Sequence, residues 1–123
     1  LQPLIDAGVD AFHCSQRRFW EPEFEDSDMN LAGWVKKLTG MPTITVGSVS
    51  LDQDFVSQPT EGDGSTSEPA SIDRLLEMLD RGDFDLVAVG RALIANPDWP
   101  KVVRSGDTAG LQAYSKDLLA NLE

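Results

Sequence analysis

Four apolar residues, Leu86-Val87-Ala88-Val89, run unbroken into Gly90-Arg91 and then into Ala92-Leu93-Ile94-Ala95, a stretch compatible with a helix. Such a run suits a parallel strand covered on both faces, and parallel strands require long crossover connections. A strand that ends in glycine, a fixed positive charge and a helix start is also an arrangement suited to phosphate. The glycine admits close approach, the guanidinium supplies charge, and the first helical turn presents N–H groups. Thr43-Ile44-Thr45-Val46 reads as a second strand ending in Gly47-Ser48, a second lip for the same site. Phosphate loops after the last two strands recur in (β/α)8 barrels.

The rest of the chain alternates in the same sense. Val9 to Cys14, bounded by Ser15, reads as a first short strand. Gln16 to Asp26 is a polar and aromatic loop with Arg17, Arg18, Phe19, Trp20 and Phe24. Asp28 is the expected N-cap of a helix that lines up Leu31, Trp34, Val35 and Leu38, with Lys36 and Lys37 near its end and Gly40 and Pro42 stopping it. A second helix places Ile72, Leu75, Leu76 and Leu79 on one stripe, with Ser71 as cap and Gly82 as stop. Leu51 to Pro69 reads mostly as loop, and Ser57 to Glu68, rich in Ser, Thr, Gly and acids, is the candidate for disorder or a lid. Asn96 to Pro100 breaks the helix after Arg91. A last helix is expected to bury Leu111, Tyr114 and Leu118. The order β-α-β-α-β-α plus a terminal helix predicts an α/β fold, a single domain over 1–123 with three parallel β/α units.

Composition narrows the partners. The chain of 123 residues carries 21 acidic and 10 basic side chains, a formal net charge of -11. That balance argues against nucleic acid and against anionic membrane surfaces, both of which reward clustered Lys and Arg. It also repels a phosphorylated ligand at long range, so a phosphate site must work through short-range donors and Arg91. No apolar run approaches the roughly 20 residues that span a bilayer. Cys14 stands alone, which leaves no intrachain disulfide and points to a reducing, cytoplasmic setting.

Metal binding is not expected. His13, the only histidine, has no second His or Cys at ligand spacing apart from adjacent Cys14, and reads as a structural imidazole. Cys14 reads as a packed thiol. The acids from Glu61 to Glu68 lack the spacing of a calcium loop.

Three separated motifs carry a resemblance. Thr39 to Val49, Gly82 to Arg91 and Ile94 to Asp98 resemble the C-terminal part of the old yellow enzymes, the NADH:flavin oxidoreductases that bind FMN on a (β/α)8 TIM barrel. Val9 to Ser15 and the loop Arg18-Phe19-Trp20-Glu21-Pro22-Glu23-Phe24 look like the sixth strand and its loop. The resemblance implies strands six to eight of that barrel, in the family's order. It implies that Gly47, Ser48, Gly90 and Arg91 hold the FMN phosphate; Phe19 and Trp20 read either as a cover over flavin or substrate or as the aromatic anchors of a surface loop. In the family, NAD(P)H reduces FMN and the flavin then passes hydride to an activated alkene.

The residues that hold and protonate that alkene belong to the barrel's first half, so the resemblance assigns no catalytic residue to this chain. Leu1 to Gly8 reads as the end of a helix that begins earlier. The expectation is therefore a C-terminal piece of an FMN-dependent oxidoreductase, not catalytic alone, completed by a missing N-terminal half or by self-association. The alternatives are a half-barrel that binds FMN or another phosphorylated ligand without turnover, and a self-associating fragment with no activity.

Overall fold

The computed structural model describes residues 1–52 and 66–122. They fall into two compact units. The first comprises Leu1–Gly47 and Ile72–Ala88; the second comprises Ser48–Ser71 and Val89–Glu123.

Unit one opens with a short helix, α1 (Gln2–Asp6), and strand β1 (Phe12–Ser15). Helix α2 (Leu31–Thr39) and strand β2 (Thr43–Val46) follow. After the Leu51–Pro69 stretch come α3 (Asp73–Asp80) and strand β4 (Leu86–Val87). The strands β1, β2 and β4 form a parallel sheet in that order, so the parallel α/β expectation holds for the described residues. Phe12 pairs with Thr43, Cys14 with Thr45, and Thr45 with Val87.

Side chains alternate across a strand, so the register defines two unlike faces. Cys14, Thr43 and Thr45 share one face and are buried. Helix α2 lies against β1 and β2, and its capping residue Asn30 donates from Nδ2 to Thr45 Oγ1 at 3.1 Å. His13, Ile44 and Leu86 share the other face, where Leu86 is 59% exposed. The expectation of a strand covered on both faces fails at this position. Burial here is a property of what lies against the sheet, and an apolar run cannot report it.

Helix α2 starts two residues later than Asp28 suggests. Its N-cap is Asn30, whose Oδ1 accepts from Gly33 N at 2.9 Å. Asp28 instead binds Arg81 and Arg74 from α3 and its end, partners far away in sequence. Gly40 ends α2 in the left-handed conformation, φ 68°, as its position predicts. In α3 the buried residues are Leu75 and Met78, while Leu76 and Leu79 stand exposed. The expected stripe was rotated by one position. The cap position is Ile72 rather than Ser71, and it carries no side-chain cap bond.

Unit two contains β3 (Thr66–Ser67), α4 (Arg91–Ala95), α5 (Trp99–Ser105), β5 (Tyr114–Ser115) and a 3-10 turn over Lys116–Asn121. β3 and β5 pair antiparallel, Thr66 with Ser115 and Ser67 with Tyr114. The terminal helix expected around Tyr114 is thus a strand followed by a 3-10 turn. A single partner strand outweighed a helical spacing only three apolar residues long. Tyr114 is nonetheless buried, in keeping with a packing role. Of the candidate lid, residues 57–65 lie outside the described residues. Its described flanks are tied by a bridge between Leu51 and Pro69 and by Asp52 N donating to Glu68 O at 3.1 Å.

Candidate functional site

Arg91 is the first residue of α4 and follows the exposed Gly90. Among the described residues of unit two, Ser67, Ser48 and Tyr114 hold its guanidinium. Nη1 donates to Ser67 Oγ at 2.8 Å and Nη2 to Ser48 Oγ at 3.1 Å. The Tyr114 ring centroid lies 5.6 Å from Cζ, a cation–π separation. Ser48, Ser67 and Tyr114 are all buried.

The backbone around Ser48 is shaped for this contact. Ser48 and Ser50 have φ of 49° and 60°, left-handed values uncommon outside glycine that cost about 1 kcal/mol or more each. Two backbone bonds hold the turn, Leu51 N donating to Ser48 O at 3.1 Å and Ala70 N to Ser50 O at 2.9 Å, and the Ser50 hydroxyl donates to Ala70 O at 3.3 Å. The chain returning through Pro69 and Ala70 carries β3, so the turn with Ser48 and the strand with Ser67 are fixed to each other.

At Gly90, a Cβ would meet nothing within 4 Å among the described residues. Among the described residues the backbone at Gly90 is therefore unobstructed on that side, next to the guanidinium that Ser48 and Ser67 hold. A fork of N–H donors matches phosphate oxygens better than an ammonium does.

Gly47 belongs to unit one, and its glycine has a local cause. Its φ is 153°, and a Cβ there would lie 2.5 Å from Gln16 O and 3.0 Å from Phe19 N. The loop after β1 passes directly over it, with Phe19 N donating to Gly47 O at 3.0 Å. Phe19 is buried and its carbonyl accepts from Asn30 Nδ2 at 3.0 Å. Trp20, half-buried, meets the Phe19 ring edge-on at 5.1 Å. The structure thus joins Ser48 to Arg91, sets Gly90 beside Arg91, and joins Phe19 to Gly47.

His13 is exposed on the open sheet face, so the reading of a packed structural imidazole is corrected. Cys14 is buried, and burial pushes its thiol above the usual range, as a packed thiol requires. Among the described residues no group of three His, Cys, Asp or Glu is arranged to hold a metal ion. Nor is any described helix long and apolar enough to cross a membrane.

Three residues of this cluster escaped sequence reasoning. Ser67 falls in the stretch expected as a disordered loop or lid, Tyr114 in an expected helix, and Asn96 is expected as a helix breaker within the Ile94 to Asp98 motif, with no contact to Arg91 foreseen for any of them. The last is buried at the end of α4, where its amide bonds the backbone of Gln112 in both directions. A serine and an asparagine in polar stretches give no signal of burial, because their partners are distant in sequence.

Comparison with known proteins points in one direction. Over 111 residues, 84% of the chain, it is 30% identical to an NADH oxidase of Thermoanaerobacter brockii. The chain spans about 14% of that relative's length. No protein-family profile matches the chain.

Proposed function

We propose that this chain is a segment of an FMN-dependent NAD(P)H oxidoreductase of the old yellow enzyme type, and that its contribution is the grip on the flavin phosphate. The observation that carries the reading is the Arg91 guanidinium, held by Ser48 and Ser67 and backed by Tyr114. The similarity to an NADH oxidase over most of the chain supports the same direction. When bound, FMN carries hydride between a nicotinamide and an activated alkene.

This chain's residues act on the far end of the cofactor. Arg91 supplies charge-assisted donors to the phosphate, Ser48 and Ser67 fix the direction of those donors, and Gly90 leaves the room that the group occupies. Gly47, Phe19 and Trp20 belong to unit one, and for them the resemblance alone supplies the flavin-side roles. None of these residues performs a chemical step. Turnover requires the alkene-binding and proton-donating residues of a complementary segment. The half-open sheet, with Leu86 and His13 bare, supports completion by such a segment or by a second copy.

Flavin titration followed by fluorescence tests the reading. FMN is expected to bind more tightly than riboflavin, which lacks the phosphate. Arg91→Ala should remove most of that preference, about tenfold or more, because a hydrogen bond to a charged group contributes roughly 1.5–3 kcal/mol. Equal binding of FMN and riboflavin by the unaltered chain would refute the grip.

A further inference from the structure

We infer that Asn96 and Tyr114 are positioning residues that preset the Arg91 guanidinium through a closed ring of contacts, an inference that rests on the phosphate reading of Arg91. Arginine has one of the most freely rotating side chains, and fixing it at the moment of binding costs affinity. A guanidinium oriented beforehand avoids that cost. Here the supports of Arg91 are themselves held by the helix that Arg91 begins.

The ring closes as follows within unit two. Ser67 and Tyr114 stand opposite each other in the β3–β5 pair, so their side chains share one face. Both touch Arg91, Ser67 through its hydroxyl and Tyr114 through its ring. That ladder is only two residues long, too short to fix its own position. Additional restraint comes from Asn96, which ends α4. Its Oδ1 accepts from Gln112 N at 2.8 Å, and its Nδ2 donates to Gln112 O at 3.0 Å. One side-chain amide thus takes the part of a neighbouring strand, two residues before Tyr114.

The same Nδ2 lies 3.3 Å from Ala92 O, which ties the amide back to the first turn of α4. Only asparagine serves here without a shift of the backbone. Aspartate has the reach but no donor for Gln112 O, and glutamine is longer by one methylene. The chemistry requires both a donor and an acceptor at one short distance.

The test has a readout that does not depend on flavin. In NMR spectra of the full 123-residue chain, the Tyr114 ring should shift the Arg91 side-chain protons upfield and slow the rotation of the guanidinium. Asn96→Ala and Tyr114→Leu should each move those protons toward ordinary arginine values and speed the rotation; Tyr114→Phe should change neither. Should Asn96→Ala not fold, Asn96→Asp removes the donor alone and is read in the same way. Unchanged Arg91 signals in the Asn96 variants, or in Tyr114→Leu, would overturn the inference.

Titration with FMN and with riboflavin gives the second arm. The ratio of the two affinities should fall about three- to tenfold in Asn96→Ala and Tyr114→Leu and hold in Tyr114→Phe. A mere loss of packing would weaken both ligands alike and leave the ratio in place, which would count against positioning. A ratio of one in the unaltered chain would refute the phosphate grip, while the Arg91 signals would still decide the role of Asn96.

Discussion

Arg81 grips the carboxylate of Asp83, only two residues further on, from Nε at 3.1 Å to both oxygens and from Nη2 to Oδ2 at 2.5 Å. The Asp83 side chain is 4% exposed, while Asp28, bound by the other arm of the same guanidinium, is 63% exposed. One arginine therefore serves a buried and a solvated acid at once. The two acids hold its proton more firmly than in a free arginine, Asp83 most of all.

Replacing Arg81 by alanine leaves the Asp83 carboxylate buried without that partner. The cost of breaking a buried pair is roughly 3–5 kcal/mol, reduced here to about 2 kcal/mol because the guanidinium is more than a third exposed. Asp28→Ala should cost far less, because its carboxylate is exposed and the pair is screened by solvent. Urea unfolding of the two variants should show this order; equal losses would contradict it.

Asn30 makes three hydrogen bonds from a fully buried side chain: one as the cap of α2, one to Phe19 O and one to Thr45 Oγ1. Asn30→Ala removes the cap and leaves a buried carbonyl and hydroxyl short of a donor. A loss of about 2–4 kcal/mol is expected. Asn30→Asp restores the cap acceptor but no donor, and should recover little of the melting temperature.

Acid should weaken unit one. The Lys36 ammonium, and then the Thr43 N–H, hold the Asp85 carboxyl below its usual range; hydrogen bonds from Arg81 and then Arg74 do the same for Asp28. A carboxyl lowered on folding stabilises the folded chain above its unfolded pKa of about 3.9, and that contribution is lost as pH falls through the folded value. The urea midpoint should therefore be level near neutrality and decline below about pH 4. Asp85→Asn should be less stable at pH 7 and decline less steeply.

Two glycines with positive φ separate steric from conformational cost. At Gly40 a Cβ meets nothing within 4 Å, so Gly40→Ala should cost only the left-handed penalty of about 1 kcal/mol. At Gly47 the Cβ would also strike the Gln16 carbonyl, and Gly47→Ala should cost about 2 kcal/mol or more. Calorimetry that ranks them in the reverse order would show that the loop after β1 yields easily.

Local signals in the sequence located the elements that local physics decides. Thr43 to Val46 is a strand with the expected bounds, and Gly40 stops α2 as its lack of a Cβ permits. Asp28 and Asn30 are both good caps by type; Arg81 and Arg74, more than forty residues away, decide between them. Leu75, Leu76, Met78 and Leu79 allow two overlapping stripes on α3, and only tertiary packing selects one. The candidate site was half legible. Arg91, Gly90 and Ser48 follow from strand ends and charge, whereas Ser67, Asn96 and Tyr114 join them through pairings that no local pattern contains.

The two compact units are interleaved along the chain: each is built from two segments, and each contains a segment that lies between the other's parts. No single cut separates them, since truncation anywhere between Ser48 and Ala88 removes material from both. On the ribosome, unit one cannot close until Ala88 has emerged, long after β1 and β2 are made. β4 is thus the piece whose arrival sets the earliest moment at which the three-stranded sheet can be complete.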